Sequence, residues 1–69
     1  MPSLLVNGQS RDVPADLTLA DLLRHLGRDP DQPGVAVAVR DRVVRRGEWA
    51  STPLAEGDTV EIVTAAQGG

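Results

Sequence analysis

Only one stretch of this chain carries apolar residues at helical spacing. In Leu17–Gly27, Leu19, Leu22, Leu23 and Leu26 form a single stripe. A lone amphipathic helix cannot bury its stripe on another helix, so it must lie on a sheet, and the other apolar runs have to supply that sheet. The helix carries its own boundaries. Thr18 is placed as an N-cap, and Asp21 three residues later approaches a capping box. Leu17 and Leu22 take the staple positions on either side of the cap. Gly27 suits the left-handed residue that follows a helix end.

The other runs read as strands. Ser3–Val6 and Gln9–Val13 flank Asn7-Gly8, a strong short signal for a hairpin, because a type I′ turn needs positive φ at both central residues. Pro14 ends the second strand, having no N–H to give to a ladder. Arg28–Gly34 is a loop by composition. Val35–Val39 alternates large and small residues as a strand, and Arg40-Asp41-Arg42 turns into a short strand at Val43–Arg45. Glu48-Trp49-Ala50 reads as one helical turn, Glu56-Gly57-Asp58 as a turn, and Thr59–Thr64 as the last strand. The order β-β-α-β-β-β predicts an α+β fold, a mixed sheet of about five strands with one main helix on one face. This is the order of the β-grasp, or ubiquitin-like, fold. Residues 1–64 are expected to form that domain and residues 65–69 a flexible tail.

Composition narrows the functions open to such a domain. At 69 residues there is room for one small core. With no cysteine and one histidine, disulfides, thiolate metal sites and a self-contained zinc site are excluded. One aromatic residue, Trp49, cannot make a stacking platform, and a net charge of −3 disfavours binding to a phosphate backbone. No nucleic acid, metal or membrane is therefore expected as a partner. No apolar run approaches the roughly 18 residues of a membrane span, and Met-Pro-Ser does not begin a secretory signal, so the expected compartment is cytoplasmic.

No catalytic constellation is visible. His25 has no nucleophile or acid signalled beside it, and the ten carboxylates fall at turns and caps. Arg40, Arg42, Arg45 and Arg46 make a basic hairpin interrupted by Asp41, which reads as a solvated sheet edge. What remains is the C-terminus. Ala65-Ala66-Gln67-Gly68-Gly69 can extend about 17 Å. Its small residues could enter a narrow channel and present the Gly69 α-carboxylate at the tip. A carboxylate is a poor electrophile and has to be activated, for example as an acyl-adenylate. The chain has no phosphate-binding glycine loop, so a partner must spend the ATP.

Alternation along the strands places Leu4, Val6, Val35, Val37, Val39, Val60 and Ile62 against the helix. Leu5, Ala36, Ala38, Glu61 and Val63 then face outward. If the first and last strands pair, Leu5 and Val63 should be near neighbours with the alanines beside them. Leu5, Ala36, Ala38 and Val63 would form an apolar docking patch at the base of the tail.

Asn7-Gly8, Leu22-Leu23, Val35–Val39, Val43-Val44, Arg46, Trp49, Leu54, Gly57-Asp58, Val60, Ile62 and Gly68-Gly69 together resemble the pattern of the ThiS family of sulfur carrier proteins. Arg40 and Arg45 depart from it, standing where the family usually has Asn and Pro. The resemblance implies a carrier with no catalysis and no bound cofactor of its own, monomeric when free. A ThiF-like enzyme would adenylate Gly69 with ATP. Sulfur from a cysteine-desulfurase relay would make the Gly69 thiocarboxylate, and a ThiG-like thiazole synthase would receive that sulfur for thiamin biosynthesis. Gly68, Gln67, Ala66 and Ala65 would be the part of the chain that enters partner active sites. Other readings of the same architecture are a molybdopterin synthase small subunit, a carrier for another sulfur metabolite, a ubiquitin-like modifier and an interaction module with an inert tail.

Overall fold

The computed structural model describes residues 1–64. Strands β1 (Ser3–Val6) and β2 (Gln9–Asp12) are followed by α1 (Leu19–His25). Then come β3 (Val35–Val39), β4 (Arg42–Val44), a 3-10 helix (Arg46–Ser51) and β5 (Thr59–Thr64). The sheet order is β2-β1-β5-β3-β4. Strand β5 occupies the middle, parallel to β1 and antiparallel to β3. This is the β-grasp arrangement expected from the order of elements.

The hairpin and helix signals act locally, as their chemistry requires. Asn7 and Gly8 have φ of 51° and 83°, the left-handed pair that a type I′ turn needs. The Thr18 side chain accepts from the Asp21 N–H at 3.2 Å, and the Thr18 N–H donates to the Asp21 carboxylate at 3.2 Å. This reciprocal pair occupies two of the N–H groups that a helix start leaves free. The backbone hydrogen bond from Thr18 is the main reason the Asp21 carboxyl is held below its ordinary value, and nearby Arg24 adds to the effect.

The core lies between α1 and one face of the sheet. Leu19, Leu22 and Leu23 meet Leu4, Val6, Val37, Val39, Val60 and Ile62, all buried, while Val35 and Leu26 pack at its margin. The expected inward face of the strands is the observed one. Each fully buried aliphatic side chain contributes roughly 1.5–3 kcal/mol, against a total stability of about 3–10 kcal/mol for a chain of this size. The three central leucines therefore decide whether the domain folds.

Three local readings change. β2 stops at Asp12, and Val13 turns under the sheet to become a core residue, with its N–H donating to the Pro2 carbonyl at 2.9 Å. Arg42 begins β4 and does not belong to the turn. Arg45 precedes a 3-10 helix that is twice the length of the expected single turn. Trp49, on that helix, is buried and donates its indole N–H to the Val44 carbonyl at 2.8 Å. The Arg46 guanidinium lies 4.6 Å from the Trp49 ring centre and donates to the carbonyls of Pro30 and Gln32. The Arg-x-x-Trp motif thus straps the 28–34 loop to the domain.

Candidate functional site

Strand β5 leads to the C-terminal residues and is held on both sides. Toward β3, five cross-strand pairs run from Val39↔Val60 to Val35↔Thr64. Toward β1, the ladder reaches only Val6↔Val60. Beyond it, Asn7 takes over. Its N–H donates to the Val60 carbonyl at 2.9 Å, its side-chain carbonyl accepts from the Ile62 N–H at 2.8 Å, and its side-chain amide donates to the Ile62 carbonyl at 3.3 Å. The side chain therefore substitutes for one more strand residue. The Asn-Gly sequence signals the turn but not this second role.

The outward sheet face has Leu5 42% exposed and Val63 60% exposed, with Ala36 exposed and Ala38 half-buried. These four residues face away from the helix, as the alternation requires. Leu5 and Val63 are not neighbours, contrary to expectation. The parallel register sets Leu5 opposite Thr59, so Val63 lies four residues further along β5, about 13 Å away at strand rise. Val63 pairs instead with Ala36, and Ala38 pairs with both Glu61 and Val43. Val43 is 81% exposed and extends the apolar strip to the β4 edge. It was not among the expected patch residues because its β4 register is not readable from sequence. The patch is therefore a strip, Val63–Ala36–Ala38–Val43, with Leu5 set apart beside a groove.

The other candidates resolve into structural roles. His25 is exposed at the end of α1. Among the described residues, no three His, Cys, Asp or Glu side chains stand together as a metal site would need. In the basic hairpin, Arg40 pairs with the Asp58 carboxylate at 2.7 Å and Arg46 is taken up by the loop, leaving Arg42 and Arg45 exposed. Arg40 and Asp41 both adopt positive φ, 51° and 66°. Arg40, where the resemblance implies Asn, thus stands in a left-handed position that L side chains other than Asn and Asp rarely adopt, with its guanidinium on Asp58. Asp58 is 8% exposed and also accepts from the Ala55 N–H at 2.8 Å. Ala65, Ala66, Gln67, Gly68 and Gly69, the expected tail, lie outside the described residues.

A protein-family profile described as the ThiS family matches residues 4–69, from the first strand through the terminal Gly-Gly. The chain belongs to the ThiS family. Sulfur carrier protein ThiS of Escherichia coli (strain K12) is 32% identical over 66 residues, covering 96% of this chain and 97% of that protein. The crystal structure of the thiamine biosynthesis protein ThiS from Geobacter metallireducens superposes with a TM-score of 0.82 at 29% identity. That superposition covers 97% of this chain and 99% of that one. Membership places this chain among the sulfur carriers and makes its β-grasp domain a ThiS domain throughout. No described helix is long and apolar enough to cross a membrane.

Proposed function

We propose that this ThiS-family chain carries sulfur on Gly69 as a thiocarboxylate for thiazole formation in thiamin biosynthesis. The observation that supports the reading is the family match over residues 4–69, which takes in the terminal Gly68-Gly69. The chemistry follows from the terminal carboxylate. A ThiF-like partner joins it to the α-phosphate of ATP, releasing pyrophosphate and making the acyl carbon electrophilic. A sulfur nucleophile from a cysteine-desulfurase relay then displaces AMP. If the donor is a persulfide, a second thiol takes up the remaining half of the sulfur–sulfur bond as a disulfide. The resulting thiocarboxylate is a soft nucleophile held on a protein, and a ThiG-like thiazole synthase receives its sulfur. In this scheme the domain provides recognition, through the Val63–Ala36–Ala38–Val43 strip and Leu5, and residues 65–69 provide reach.

Intact-mass measurement tests the reading. After incubation with ATP, the adenylating enzyme and a sulfur donor, the chain should gain the mass of one oxygen-to-sulfur exchange. Deleting Gly69, or adding one uncleaved residue after it, should abolish the gain with the melting curve unchanged. Normal sulfur loading of the extended chain would overturn the proposal. Stable amide conjugates to many cellular proteins would mark a modifier instead.

A further inference from the structure

A groove of about 580 Å³ opens on the outward sheet face between the β1–β2 turn and the β3–β4 turn. Leu5 and Thr59 line it from paired positions on β1 and β5, and Asn7 closes one side. Its two ionisable groups are both acidic, Asp41 from the β3–β4 turn and Glu61 from β5. The arginines beside Asp41 in sequence are directed elsewhere. Arg40 is paired with Asp58, and Arg42 stands opposite Val39, which belongs to the helix-side face. The two ion pairs found among the described residues, Arg24–Asp21 and Arg40–Asp58, include neither Asp41 nor Glu61. Glu61 is also set within an apolar surrounding, with Ala38 directly across, Val43 beyond it and Val63 two residues further along the strand.

We propose that this groove is the socket for an arginine or lysine side chain of the protein that takes up the tail. The proposal rests on the carrier reading above and specifies how its docking face selects a partner. A long cationic side chain matches both surfaces of the groove. Its methylene stem would cover Leu5 and its head would reach the two carboxylates. Arginine fits better than lysine because its planar fork can serve two acceptors at once. The apolar strip alone would accept many apolar surfaces. The acidic groove beside it rejects a partner that presents an acid or an uncharged group there, which gives specificity as well as attraction.

The test uses the full chain and the adenylating enzyme that loads it, with affinity measured by calorimetry at low and high salt. Glu61→Gln and Asp41→Asn should each weaken binding roughly tenfold at low salt, and together they should flatten its salt dependence. Glu61→Arg should abolish measurable binding, and replacing the facing partner Arg or Lys with Glu should restore it. Thermal melts establish that each variant is folded. Affinities within about twofold of wild type for both neutralised variants, at low salt, would overturn the socket. So would a Glu61→Arg defect that no partner charge reversal repairs. Sulfur loading of the unmutated chain, followed by intact mass, separates the two levels. A wild-type chain that neither binds nor loads overturns the carrier reading and the socket together. A wild-type chain that loads, with variants that bind equally well, overturns the socket alone.

Discussion

Replacing Asn7 by glycine removes the side-chain clamp on β5 while keeping the turn, because glycine takes the φ of 51° freely. The two hydrogen bonds to Ile62 are unequal. The one accepted from the Ile62 N–H, at 2.8 Å, has full strength, about 1–1.5 kcal/mol net. The one donated to the Ile62 carbonyl, at 3.3 Å, is long and contributes about 0.5 kcal/mol. Relief of left-handed strain at residue 7 and the added freedom of glycine in the unfolded chain are each below about 1 kcal/mol and opposed in sign. Asn7→Gly should therefore destabilise the domain by about 2 kcal/mol, which lowers Tm by about 8–16 °C in a domain of this size. Urea unfolding followed by Trp49 fluorescence gives the loss directly, since Trp49 is the single, buried tryptophan. Amide exchange should quicken at Ile62, whose N–H is held by the Asn7 side chain, before it does at Val60, which lies within the β1–β5 ladder. A loss below about 0.5 kcal/mol for Asn7→Gly, with Ile62 exchange unchanged, would refute the clamp.

Three further outcomes follow from the caps and turns. Asp21 has a lowered carboxyl pKa, so its contribution is present above the ordinary carboxylate range and is lost as pH falls through the folded value; Asp21→Asn should show a flatter acid limb in melts taken from pH 5 down to pH 2. Asp58→Ala strips a partner from both the Ala55 N–H and Arg40 and should cost about 1–3 kcal/mol in urea melts. Arg40→Gly trades a half-exposed ion pair for relief of left-handed strain and should stay within about 1 kcal/mol of wild type. If Arg40→Gly proved the more damaging of the two, the ion pair rather than the loop hydrogen bond would be what holds Asp58.

Features that depend on neighbours in sequence are legible in the sequence itself. Asn7-Gly8, the Thr18–Asp21 box, the leucine stripe and Gly27 each act within a few residues, and the alternation of the strands assigned their buried faces. What depended on register was not legible. The β1–β5 offset that parts Leu5 from Val63, and the β4 pairing that brings Val43 onto the face, follow from pairings across more than fifty residues in one case and a short hairpin turn in the other. Asn7 as a substitute rung and Asp41 as a groove wall belong to the same class, because their partners are distant in the chain or set by a left-handed turn at two residues that are not glycine.

Because β1 and β5 run parallel, the chain enters the middle of the sheet at one end and leaves it at the other. Ser3 is tied to the entry end, its carbonyl accepting from the Gly57 N–H at 2.8 Å, while Thr64 closes the opposite end against Val35. The six residues of β5 put roughly a 17 Å length of strand between them. These 69 residues contain no lysine, so they offer no side-chain amine, and an amine-directed label is left with an α-amino group on the Ser3 side of the domain. A fluorophore, surface or fusion partner attached through that amine would sit at the end remote from Thr64. Tethered copies would then share one orientation, with the Thr64 end of the sheet presented outward.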